Sequence, residues 1–158
     1  MCSPDFSNTS KYKTKKVFLN VPKLLTKFCS NEITFAIDEH GYCNTNSVYN
    51  CQLKKLDDIY FLLAILNSHV STFWFNTAFL NIDTIFPHIQ KNQLESIPIP
   101  IVSEEEGNKL SRLVNDILTI KRTNPSADTS ALESEIDRLV YQLYGLTDEE
   151  IRIVEGKE

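Results

Sequence analysis

From residue 17 onward, apolar and β-branched side chains come in short bursts: Val17 to Val21 (VFLNV), Ile33 to Ile37 (ITFAI) and Ser47 to Cys51 (SVYNC). Runs of this length, set apart by polar or glycine-bearing turns, predict strands. Asp38-Glu39-His40-Gly41 separates the second run from the third and reads as a hairpin connection, because glycine tolerates the positive φ such turns need. From residue 59 the period lengthens. Ile59, Leu62, Leu63, Leu66 and Val70 recur at helical spacing behind Asp57-Asp58, acids that suit the positive end of a helix. Phe73, Trp74 and Phe75 extend that helix or belong to a second one. Pro87 and the Ile-Pro-Ile-Pro segment ending at Pro100 break helix, leaving a turn or two for Lys91 to Glu95.

The last third is the most regular. Leu110, Leu113, Val114, Ile117 and Leu118 form one helical stripe, and Leu132, Ile136, Leu139, Val140 and Leu143 form another. Capping-box patterns stand at Ser103 to Glu106, Ser130 to Glu133 and Thr147 to Glu150. Thr123-Asn124-Pro125-Ser126 turns the chain between the stripes, and Gly145 is placed to end the second helix. The expectation is an antiparallel helical hairpin and a short terminal helix.

Composition narrows the class without naming a function. The 158 residues suit one domain with at most a small attached lobe, and 42% hydrophobic content is enough for a core. No signal-peptide pattern opens the chain, and its most apolar stretch, Ile59 to Leu66, falls well short of the roughly twenty residues of a membrane span. A cytoplasmic, non-membrane protein is expected. Cysteines 2, 29, 43 and 51 include no CxxC pair, so reduced thiols are expected rather than zinc ligands or a disulfide framework, with Cys29 and Cys43 as buried structural thiols. The net charge of −5 conceals a polarity. Residues 1–56 hold eight lysines against four acids, whereas residues 102–158 hold seven basic and thirteen acidic side chains. Only the front of the chain is suited to phosphates.

The search for catalytic constellations ends without one. Glycines 41, 107, 145 and 156 are isolated, which excludes a phosphate-binding glycine loop. His40, His69 and His88 lack metal-ligand spacing. A nucleophilic pairing of Cys29 or Cys43 with His40 or His88 has no sequence mark of activation. No catalytic or metal-binding residue is expected in this chain.

Three passages carry a resemblance that spans Lys23 to Gly156. They are ITFAIDEHGYCNTNSVY (33–49), FLLAILNSHVSTFWF (61–75), and the stretch from QLESIPIP (93–100) through the hairpin to LESEIDRLVYQLYGLTDEEIRIVEG (132–156). In this order they resemble the TaqI-like C-terminal specificity domain of bacterial adenine-N6 DNA methyltransferases, the domain that follows the nuclease and methyltransferase regions of type IIG restriction enzymes. They are also similar to the target-recognition domains of type I specificity subunits. The Asn/Asp-Pro-Pro-Tyr/Phe motif of adenine methylation is absent from the chain. Phe86-Pro87-His88-Ile89 departs from relatives that carry Arg or Lys near the aromatic.

The resemblance implies an α+β protein: a small mixed sheet with packed helices, then the helical hairpin and its short terminal helix. In that division residues 1–10 are a frayed leader, 11–101 the DNA target-recognition lobe, and 102–158 a helical tail for spacing or docking. The implied partners are double-stranded DNA and the methyltransferase and endonuclease domains of a parent chain. S-adenosylmethionine and Mg would serve the parent, with no cofactor for this segment. Lysines steer toward phosphate, and Asn and Thr hydrogen-bond base edges. The expected DNA contacts are therefore Lys13, Lys15, Lys16, Lys23, Lys27 and Lys91, with Asn44, Thr45, Asn46 and, by rough correspondence, His88. The alternative is a helical docking module that makes no DNA contact and self-associates through the Leu132 to Leu143 stripe.

Overall fold

A computed structural model describes residues 5–6, 19–30, 32–52, 59–79 and 88–157. Its strands are β1 (Asp5–Phe6), β2 (Lys23–Lys27), β3 (Phe35–Asp38) and β4 (Val48–Gln52), in the sheet order β1-β4-β2-β3. The helices among the described residues are α1 (Ile59–Asn67), α2 (His69–Phe79), α3 (Lys91–Glu95), α4 (Glu104–Thr123), α5 (Ser130–Tyr144) and α6 (Asp148–Val154). The fold is α+β, as the element pattern implies.

The sheet differs from the expected one in four respects. Its described strands pair antiparallel throughout rather than in a mixed sheet, and β1 at Asp5–Phe6 falls within the stretch expected to be a frayed leader. Its second strand is KLLTK at 23–27 rather than the more apolar VFLNV run, of which 19–21 carry no strand and 17–18 lie outside the described residues. The ladder starts only after Pro22, which has no N–H to give it. In addition, β3 and β4 do not form a hairpin. Both pair antiparallel with β2, which lies between them. The 39–47 segment is therefore a crossover running the length of β2. Gly41 does take positive φ, at 80°, as its place in a turn requires.

Register assigns the two faces. Leu24, Thr26, Phe35, Tyr49 and Cys51 share one face, and all are buried. This face receives α1, which packs on β2 and β3 and on α4. Ile59, Phe61, Leu62, Leu63, Ala64, Ile65 and Leu66 are all buried, so α1 is a central helix rather than an amphipathic one. Each large apolar side chain buried here contributes roughly 1.5–3 kcal/mol. The helix stops at Asn67, and Val70 belongs to α2. At the break, Ser68 Oγ and Ser71 Oγ both donate to the Ile65 carbonyl, each at 2.7 Å. Asn67 donates to the Phe35 carbonyl at 2.9 Å and accepts from the Phe35 N–H at 2.8 Å.

The two stripes of the last third face inward. Leu110 and Val114 of α4 and Ile136, Val140 and Tyr141 of α5 belong to the same apolar cluster as Leu24, Phe35 and Leu66. Asp137 of α5 accepts from the His69 N–H at 2.9 Å and holds His69 Nδ1 at 2.7 Å, tying α5 to the start of α2. The capping boxes at Ser103 and Thr147 are formed. The one expected at Ser130 is not. Thr129 takes the N-cap position, its hydroxyl donates to the Glu133 carboxylate at 2.6 Å, and Asp128 accepts from the Ser130 N–H. Ser103→Ala removes the acceptor of the Glu106 N–H. It is expected to cost about 1 kcal/mol, measured by urea denaturation.

Candidate functional site

The ladder between β2 and β4 sets Lys27 opposite Val48, and the Phe28 N–H continues it to the Ser47 carbonyl at 2.8 Å. One residue further, Cys29 pairs with His88, and the Ile89 N–H donates to the Phe28 carbonyl at 2.9 Å. The Phe28 ring lies 4.9 Å from the His88 ring and 5.7 Å from that of Tyr49, whose hydroxyl donates to the Ile89 carbonyl. These contacts gather Lys27, Thr45, Asn46 and His88, all exposed, at one end of the sheet. Among the described residues, the end presents the Lys27 ammonium, the His88 imidazole and the short polar side chains of a turn in which the Val48 N–H reaches the Thr45 carbonyl. Such a set can hold a phosphate and reach hydrogen-bonding edges beside it.

The remaining expected contacts are placed differently. Lys13, Lys15 and Lys16 lie outside the described residues. Lys23 is 0% exposed and ion-paired with Asp38, which corrects its assignment as a phosphate contact: its charge is already neutralised and is shut away from solvent. Lys91 is half-buried and pairs with Glu95 at 3.3 Å along α3. Asn44 is half-buried and spends its carboxamide on Asn50. Its Nδ2 donates to Asn50 Oδ1 at 3.0 Å, and its Oδ1 accepts from Asn50 Nδ2 at 3.3 Å.

Sequence reasoning passed over Asp38 and Asn50. Both point to the second face of the sheet, Asp38 opposite Lys23 and Asn50 opposite Leu25, and both are buried. The Asp38 carboxylate accepts from Lys23, from the N–H groups of His40 (2.8 Å) and Gly41 (3.0 Å), and from that of Tyr42 (2.9 Å). Burial pushes the Asp38 pKa up, but the bond from Lys23, those from His40 and Gly41, and the Lys23 charge outweigh it, and the net direction is down. The crossover is thus fastened at 38–42 and again at Asn44. Next to the first anchor, Glu39 accepts from the Tyr60 hydroxyl at 2.9 Å and pairs with Arg122 of α4. An Asp opening a turn carries an Asx signal in the sequence, whereas its lysine partner fifteen residues earlier carries none.

Two other features of the described residues lie beside the sheet end or apart from it. A groove of about 640 Å³ between β3, α1, α4 and α5, bounded by Phe35, Ile37, Asn67, Val114 and Asp137, shares no residue with the sheet end. Cys29 and Cys43 are exposed, which corrects the expectation of buried structural thiols at both; Cys51 is buried, and Cys2 lies outside the described residues. Cys29 and Cys43 flank the sheet end and the crossover, where no apolar layer covers them. Among the described residues no three His, Cys, Asp or Glu side chains are grouped to hold a metal, and no helix is long and apolar enough to cross a membrane.

The described residues thus form a small antiparallel sheet backed by helices, with exposed polar side chains at one end. The TaqI-like C-terminal specificity domain family matches residues 5–99, more than half of the chain, and the chain belongs to that family. No curated protein matches it.

Proposed function

We propose that this chain is the sequence-reading module of a restriction-modification enzyme, binding double-stranded DNA with the sheet end that carries Lys27, Thr45, Asn46 and His88. The observation that supports it most is the convergence of these four side chains in a specificity domain, through the β2–β4 ladder and the Cys29–His88 pairing. Lys27 supplies phosphate attraction, and Thr45 and Asn46 supply base-edge hydrogen bonds. Methylation with S-adenosylmethionine, or cleavage with Mg, belongs to separate domains of the parent enzyme in the bacterial cytoplasm. The chain itself chooses the site and performs no bond chemistry. In the stripe of the self-association alternative, Ile136 and Val140 are buried within the chain and Leu132, Leu139 and Leu143 are partly buried.

The test is fluorescence anisotropy on labelled duplex DNA across a salt series. Each lysine–phosphate contact contributes about −0.9 to the slope of log affinity against log salt. Lys27→Ala should make the slope shallower by about that amount and weaken binding to all sequences alike. Absence of binding at low salt, or affinity indifferent to salt, contradicts the proposal.

A further inference from the structure

Among the described residues, a dense polar construction lies beneath the crossover rather than at the exposed sheet end. Two buried side chains of the second sheet face, Asp38 and Asn50, hold the 39–47 segment from below. Asp38 receives three consecutive backbone N–H groups, from His40, Gly41 and Tyr42, besides Lys23. Asn50, 0% exposed, exchanges two hydrogen bonds with Asn44. Immediately after Asn44 come Thr45 and Asn46, the exposed polar pair at the sheet end.

This arrangement is costly unless the loop geometry matters. A carboxylate and an ammonium withdrawn from water repay their desolvation only when every lone pair and proton is matched, and an apolar pair would often hold the sheet as well. A solvated loop would require no such anchor. What the anchor does provide is a fixed backbone for the two residues that follow it, and base-edge hydrogen bonds discriminate only when donors and acceptors are held in place beforehand.

We infer that Asp38, Asn44 and Asn50 are positioning residues for base readout: they hold the crossover so that Thr45 and Asn46 meet the DNA in one geometry. The inference rests on the DNA-reading function proposed above. It moves Asn44 from the group that touches DNA to the group that aims it. It also separates two properties that a simple contact surface would mix, since loosening the loop should blur sequence preference while leaving phosphate attraction intact.

The experiment selects bound duplexes from a random-sequence library with the whole chain and compares affinity for the selected and the random pool. Asn44→Ala is the principal variant, because Asn44 is only half-buried and the change leaves the backbone ladder of the sheet and the Lys23–Asp38 ion pair in place, although the buried Asn50 carboxamide loses both of its bonds to Asn44. Asp38→Asn is the second. Thermal unfolding and circular dichroism establish that each variant is folded, and amide hydrogen exchange reads the loop directly. The expected result for Asn44→Ala is a roughly tenfold fall in the ratio of selected to random affinity, the size of one lost base-edge interaction. Affinity for the random pool should stay within about threefold, and exchange should quicken over residues 40–47. In Asp38→Asn the His40, Gly41 and Tyr42 amides should exchange fastest. Folded variants that keep the full preference overturn the positioning role and leave DNA reading standing. Equal losses on both pools also overturn it, because the pair would then serve folding alone. A wild-type chain that selects no sequence overturns both the positioning role and the function on which it rests.

Discussion

Asp38→Ala is expected to remove about 3–5 kcal/mol of stability, because it takes away the carboxylate that pairs with the buried ammonium of Lys23. Three backbone N–H groups lose their acceptor in the same step. The substitution therefore strikes both β2 and the crossover. Chemical denaturation at neutral pH, compared with the double replacement Lys23→Met plus Asp38→Leu, measures it. The double variant should recover much of the loss in the sheet, since an apolar pair fills the space without a charge to desolvate. A single variant as stable as the wild type would show that the pair lies in water. The direction of the Asp38 shift also fixes a pH dependence. A carboxyl whose pKa is depressed by folding contributes stability above the ordinary aspartate value, near 4, and loses it as pH falls through the lower folded value. Wild-type stability should therefore decline on acidification below that ordinary value, and the double variant should lack this component of the decline.

The second large effect is expected from Leu110→Ala in α4. Leu110 is 1% exposed and sits in the cluster that also holds the sheet residues. Truncating a leucine so enclosed costs about 2.7–5 kcal/mol, the larger figure when the cavity stays open. The informative part of the measurement is where the loss appears. Because α4 packs on the central α1, the variant should lower one cooperative transition reported alike by far-UV circular dichroism and by Trp74 fluorescence. A helical signal that melts first, with Trp74 unaffected, would show that the last third folds apart from the sheet.

How far the fold can be read from sequence follows from the range of the interactions involved. The helices are legible because their causes are local: the stripe from Leu110 to Leu118, the Ser103 and Thr147 boxes, and Gly145 in the left-handed region at φ 66° all act within a few residues. Ser130 misleads because serine and glutamate at the right spacing occur one residue past the threonine that holds the N-cap position. The strands are legible as runs but not as neighbours. Nothing local in VYNCQ says that it pairs with KLLTK rather than with FAID. Lys23 fails for the same reason. A lysine looks solvent-bound until a carboxylate fifteen residues away is placed opposite it. Thr45 and Asn46, by contrast, stand exposed in a turn, where their composition puts them.

The carboxamide of Asn67 has a consequence for the sheet as a whole. β3 is an edge strand, and an edge with unsatisfied backbone groups is a template on which another polypeptide can add. At Phe35 that position is already taken, since Asn67 supplies the donor and the acceptor that a fifth strand would bring. A side chain from the end of a helix thus caps the growth of the sheet where it begins its outermost strand. The molecule protects itself from strand-to-strand aggregation there without a charge, a proline or a bulge.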